Sequence, residues 1–253
     1  MKTNYLDVLN KIENINPIKY SSDRNYLDGS VSQLSPYISR GLISTKFVFQ
    51  NLIRRGFQIN KIEKFVQELA WRDYWQLTWK NRDINSDLRN QQTEVLQFGI
   101  PDSILNHNTN IHAIDSTIME LYQSGYIHNH SRMYIASIVT NIGKYHWYYP
   151  AKWMYYYLLD ADWGSNALSW QWICGTNSNK KYYANQDNIN KFTKTNQKKT
   201  IIDSSYINLI KLQQPEILKK SLEFSLTTIF PKSDFFENKN SKPICIYNFY
   251  NLD

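Results

Sequence analysis

Glycine is scarce in this chain, at 8 of 253 residues, and neither a Gly-x-Gly-x-x-Gly turn nor a Walker-type loop occurs. That scarcity weighs against folds built on Gly-rich phosphate loops and against barrel architectures. The only cysteines are Cys174 and Cys245. Two are too few for a four-cysteine iron–sulfur cluster or a disulfide framework, and no metal site is expected. No apolar run approaches the roughly 18 residues of a membrane span. The opening Met-Lys-Thr-Asn-Tyr holds no apolar leader core. The default expectation is a cytoplasmic location, with no membrane as partner.

Aromatic residues are abundant, at 15% of the chain with 8 Trp and 19 Tyr, and a hydrophobic content of 42% supports a real core. The net charge of +7 suits a polyanionic partner, although many proteins are this basic. Periodicity reads as helices over residues 4–15, 60–80, 111–124 and 127–145, and from Pro150 to about residue 161. Pro36 opens a further helix at its first position. Residues 21–35 read as turn-rich, and 83–110 as irregular and Asn-rich. No alternating strand pattern occurs before residue 240. The expected fold class is mainly α.

Residues 179–200 carry six Lys against one Asp and five Asn. They read as a loop or arm, either solvated or contacting phosphates. A helical pair is expected over 204–226, and a short terminal strand over 243–253. The domain reading is therefore a helical unit over 1–192 and a tail or linker over 193–253, the strand being the possible start of a further module.

Polar groups recur at fixed points within apolar runs. Asn129, Arg132, Met133 and Ala136 share one helix face. Asp160, Asp162 and Asn166 follow among Leu and Trp. A buried Arg is costly without a carboxylate, and Asp160 and Asp162 are its candidate partners. Taken alone, such a set is most simply an ion-pair network tying two helices. Glu68, Trp71, Arg72, Trp75 and Trp79 align on one helix face, where a Glu68–Arg72 pair beside a core Trp stripe is the plain reading. Ser32-Gln33-Leu34-Ser35-Pro36 is an ordinary cap, or a set of hydroxyls and free amides at a helix start, which suits a pyrophosphate.

These motifs, in this order from about Tyr20 to Phe192, resemble the FAD-binding helical domain of the photolyase/cryptochrome family. The resemblance implies FAD as cofactor. It places Tyr20, Ser32, Gln33, Leu34, Ser35, Arg72, Arg132, Asp160, Asp162 and Asn166 around it. In that family the matching Arg and first Asp pair beside the flavin ring, the second Asp accepts a hydrogen bond from it, and the Asn faces flavin N5. The residues that handle a cyclobutane pyrimidine dimer in the family's repair enzymes match Glu68, Trp71, Asn129, Met133 and Trp172. Trp170 and Trp147 match the inner two members of the family's electron-transfer chain, whose outer member is not visible. Lys180, Lys181 and His130 fall where DNA contacts are expected, and damaged DNA is the implied partner.

The helix carries no His at position 129 or 133, so the chain resembles the dimer-repair branch rather than the (6-4) branch. Asn166 resembles photolyases rather than plant cryptochromes, which carry Asp there. Some positions depart from the family pattern: Val31 replaces Thr, Phe65 replaces Trp, His130 replaces Arg, and Ala167-Leu168-Ser169 replaces Asn-Gly-Gly. The basic residue expected past Trp172 is replaced around Tyr183-Ala184-Asn185. The family's N-terminal antenna domain is not matched, so no antenna chromophore is expected within this chain. The implied activity is light-driven repair of cyclobutane dimers, that of a deoxyribodipyrimidine photolyase-like lyase. The alternatives are a cryptochrome-like FAD photosensor without repair, and a cofactor-free DNA- or protein-binding helical module.

Overall fold

The computed structural model describes residues 4–224. Its first helix, α1 (Tyr5–Glu13), starts where the Asn4 side chain accepts from the Leu6 amide. Val8 and Ile12, four apart, turn inward. α2 (Pro17–Asp23) begins at Pro17 and is capped by Asn16. It covers part of the segment read as turn-rich, because a Pro at N1 is a helix start as much as a breaker. α3 (Ser35–Ser39) opens at Pro36, and α4 (Thr45–Arg54) is capped by Ser44. α5 (Glu63–Asn81) is the longest helix, at 19 residues.

Beyond α5 the chain runs irregularly to β1 (Ile100–Pro101) and α6 (Asp102–Leu105). α7 (His112–Ser124) ends on Gly125 at φ 68°. α8 (Asn129–Ser137) continues into a π-helical turn, Ile138–Ile142. α9 (Tyr148–Tyr157) starts before Pro150 and stops short of residue 161. α10 (Trp163–Cys174) had no clear amphipathic period to mark it, because nine of its twelve residues are buried. Asp162 caps it and Gly175, at φ 89°, closes it.

The segment read as a loop or arm contains α11 (Gln186–Thr193), which buries Gln186 and Ile189. Its many Asn are caps and turns rather than a sign of disorder, since Asn185 accepts from the Asn188 amide. The helical pair expected over 204–226 is instead a five-residue α12 (Tyr206–Ile210), a 3₁₀ turn at Glu216–Leu218 and β2 (Ser221–Leu222). β2 pairs antiparallel with β1, Ile100 opposite Leu222. The two strands are too short to show alternation. The expected terminal strand lies outside the described residues.

Two hydrophobic clusters form. The smaller joins Val8, Ile12, Leu34, Val48, Leu52, Ile62 and Phe65 from α1 to the start of α5. The larger gathers α6 to α10 around Trp147, Trp153 and Trp170. It also takes in Ile202, Leu209 and Leu218, beyond the boundary read at residue 192. α5 lies between the clusters, against α2 and α4 on one side and α10 on the other. Only Phe65 of its 19 residues is buried. An aromatic helix face flanked by two cores and left uncovered forms the wall of a cleft. Among the described residues, no helix is long and apolar enough to cross a membrane.

Candidate functional site

The cleft along α5 is a cavity of about 460 Å³. One wall is residues 31–35 with Tyr20 and Ile38, and another is α5 through Phe65, Glu68, Trp71, Arg72 and Trp75. α8 supplies Asn129, Arg132 and Met133, and α10 supplies Ser165, Ser169, Trp172 and Ile173. A recess of about 60 Å³ opens beside it, lined by Arg132, Asp160, Asp162, Asn166 and Trp170.

The 31–35 wall is fixed from below. Asp23 accepts from both the Ser30 amide, at 2.9 Å, and the Ser30 hydroxyl, at 3.0 Å. Gln33 then takes a left-handed conformation, φ 52°, and Leu34 returns to the right-handed region at φ −92°, ψ −8°. Consecutive left- and right-handed residues turn their amides toward one point, a concavity that binds anions. Ser32 and Ser35, on either side of it in the chain, line the same cavity.

Charges on the facing walls are paired. Arg132 Nη1 donates to Asp160 Oδ2 at 2.8 Å, and its Nε reaches the Ile127 carbonyl. This is the pairing the sequence led one to expect. Arg72 does not pair with Glu68 four residues back. It lies 2.6 Å from Asp162 Oδ2, bridging α5 to the start of α10. Asp162 also accepts from the Ser165 amide and hydroxyl and from Gln76 Nε2 at 2.7 Å. Gln76 and Ser165 were missed by sequence reasoning. Gln76 lies four residues after Arg72 on the same helix face, and that spacing was the available signal.

Glu68 is therefore left without the Arg72 pairing that the spacing offered. Its side chain opens to the cavity, and crowding by the walls raises its carboxyl above the ordinary range, with Arg24 and Lys64 opposing. Tyr20, against the Phe65 ring at 5.0 Å, is held in its phenol form by burial and by the Glu68 charge. Asn166 Nδ2 donates to the Ala151 carbonyl at 2.7 Å, which leaves its oxygen for the recess. Trp71 and Trp172 stand at the cavity with 49% and 41% of their surface exposed, unlike core tryptophans. Trp71 stacks on Trp75 at 5.0 Å, and Trp172 leans on Tyr182. Trp170 and Trp147 are buried in the larger cluster.

Two residues expected at a DNA surface are placed otherwise. His130 is buried, stacked on Tyr134 at 4.5 Å, with Nδ1 2.8 Å from the Asn25 carbonyl. A residue in that position braces α8 and cannot reach a phosphate. Lys181 donates to Glu94 at 2.8 Å. Lys194 and Lys198 of the same basic segment pair with Asp28 and Asp187. Lys180 is exposed, and the Ser178 hydroxyl bonds both its carbonyl and that of Trp172.

Comparison with known proteins is consistent with this geometry. The family described as the FAD binding domain of DNA photolyase matches residues 65–225, more than half of the chain. The mitochondrial deoxyribodipyrimidine photo-lyase of Saccharomyces cerevisiae is 27% identical over 181 residues, 65% of this chain and 32% of that protein. The Agrobacterium fabrum deoxyribodipyrimidine photo-lyase is 29% identical over 157 residues, 58% of this chain and 32% of that protein. The chain thus spans about a third of the length of these curated relatives. Among solved structures, a Synechocystis cryptochrome superposes with TM-score 0.66 at 20% identity, over 76% of this chain and 44% of that one. A class III photolyase from Agrobacterium tumefaciens gives 0.59 at 24%, over 74% and 44%. At these identities the structures establish the shared helical fold.

Proposed function

This chain belongs to the FAD-binding family of DNA photolyases, with FAD as its cofactor, and on that premise we propose that it repairs cyclobutane pyrimidine dimers in DNA under blue light. The donor set suits FAD. The 31–35 concavity would take the pyrophosphate. The Arg132–Asp160 pair, Asp162 and the Asn166 oxygen would face the ring, and Arg72 would hold Asp162 in place. Bound there, the reduced flavin supplies the photoexcited electron that splits the dimer ring and takes it back afterwards. The protein's own part is to orient and to exclude water.

The observation that carries this reading is that Glu68, Trp71, Asn129, Met133 and Trp172 all line one cavity, and that Asn129 and Met133 also line the recess holding Asn166. An extruded dimer needs aromatic faces to replace lost stacking, worth about 1–3 kcal/mol per base. Trp71 and Trp172 provide them. Glu68 and Asn129 offer hydrogen bonds to base edges, and Met133 an adaptable apolar surface. None of the five is an imidazole, so the site suits electron transfer without proton exchange between the bases.

A second reading, an FAD photosensor without repair, draws support from the ion pairs of Lys181, Lys194 and Lys198, which occupy half of the basic segment's cations. Reduced, FAD-loaded protein given an oligonucleotide with a single cyclobutane dimer decides between them. Repair under blue light, lowered in Glu68→Ala with FAD retained, supports the enzyme. No repair with full flavin occupancy moves the sensor to first place.

A further inference from the structure

Trp147 is fully buried, yet its indole Nε1 donates to a carboxylate, Asp87 Oδ1, at 2.7 Å. Asp87 comes from the irregular segment after α5. Its other oxygen takes the Gln92 amide at 2.7 Å, and the Gln92 side chain in turn binds the Trp147 amide at 3.0 Å. His146 Nδ1 accepts from the Tyr148 amide, which places a hydrogen on Nε2, 3.6 Å from Asp87 Oδ1. About a fifth of each of these two side chains is exposed, so the pair lies between the buried indole and water. Packing needs no carboxylate at an indole N–H, since any backbone carbonyl would satisfy it.

The chain also has no Trp between Trp79 and Trp147. Trp163, stacked on Trp147 with ring centroids 6.5 Å apart, is buried too, and its Nε1 donates to the neutral side-chain oxygen of Asn85, so of these two tryptophans Trp147 is the one with a carboxylate at its N–H. We propose that Asp87 is the proton acceptor that makes Trp147 the terminal electron donor of this chain. This rests on FAD occupying the cavity and on Trp170 passing electrons to it. Trp170, having given one electron to light-excited oxidised flavin, takes one from Trp147. The Nε1–H bond of Trp147 breaks and its proton forms an O–H bond on Asp87. A neutral tryptophanyl remains, which cannot return its hole without recovering that proton. An external thiol supplies the resetting electron, and Asp87 returns the proton.

The test is flash absorption spectroscopy on oxidised, FAD-loaded protein. The wild type should yield the neutral tryptophanyl band, formed at a rate independent of buffer-base concentration and slowed in D₂O. Asp87→Asn keeps the shape and an acceptor but not the basicity. It should give only the cationic band, with a lifetime several-fold shorter. Trp147→Phe should abolish the long-lived radical. Identical radicals and lifetimes in wild type and Asp87→Asn would overturn the proposal. So would wild-type deprotonation that scales with buffer base, a result that needs no variant. Bound flavin with no tryptophanyl in the wild type would overturn this proposal and leave the cofactor site standing, while absent flavin absorbance would overturn both.

Discussion

The two histidines at the start of α8 show how one residue type serves different ends two positions apart. His128 caps the helix, its Nδ1 accepting from the His130 amide, and its ring is buried. Burial, then His130 and Arg132, depress its pKa from 6.5 to about 4. The folded chain thus holds a neutral imidazole that the unfolded chain protonates below about pH 6.5. Its contribution is complete above that value and is lost as pH falls through 4, on the order of 3 kcal/mol in all. Urea unfolding between pH 7 and 4 should show this loss in wild type. His128→Asn, which keeps a capping oxygen, should flatten the pH dependence. Sequence reasoning put His130 at the DNA because it replaces an Arg, and a substituted position carries no mark of burial. The Arg132–Asp160 pair was legible because a buried guanidinium must find a carboxylate. The Arg72–Asp162 bridge was not, since an i, i+4 Glu was nearer in sequence and the geometry joining α5 to α10 is tertiary.

At the level of elements, caps and glycines set where the site residues stand. Gly125 ends α7 at φ 68°, and an added Cβ there would lie 2.7 Å from Leu159 Cγ and 3.0 Å from the Tyr157 carbonyl. Its own carbonyl accepts from the Leu159 amide, which aligns the Asp160 loop with the start of α8. Gly125→Ala should cost about 1–2 kcal/mol from backbone handedness alone, and more from the clash. Thermal unfolding measures the loss, and FAD affinity should fall with it because Asn129 and Asp160 shift together. α1, α5 and α7 were readable from the spacing of their apolar and aromatic residues. α10 was not, since a helix with nine of twelve residues buried has too narrow an open face to set up a polar stripe. α11 was hidden by its Asn and Lys content, which helps it start and stop rather than preventing it.

Across the molecule, the net charge of +7 is less available than it looks. Lys181 is committed to Glu94, whereas Lys180 is exposed and has no ion-pair partner among the described residues. Lys180→Ala should reduce the slope of log affinity against log salt by about one for DNA, and Lys181→Ala by clearly less. Equal effects would mean that the Glu94 pair opens on binding. A core was implied by the hydrophobic content of 42%, but neither its division into two clusters nor the cleft between them was, because only the fold shows that the aromatic face of α5 is left uncovered. The proposed repair would place flavin in the depth of that cleft and the dimer at its mouth. The direct measurement is the visible flavin spectrum of FAD-loaded protein titrated with an oligonucleotide carrying one cyclobutane dimer. One FAD per chain is expected, with a flavin band shift on adding damaged oligonucleotide that is absent with undamaged oligonucleotide and lost in Trp172→Ala. A protein that holds no flavin, or whose flavin band responds equally to damaged and undamaged DNA, would contradict it.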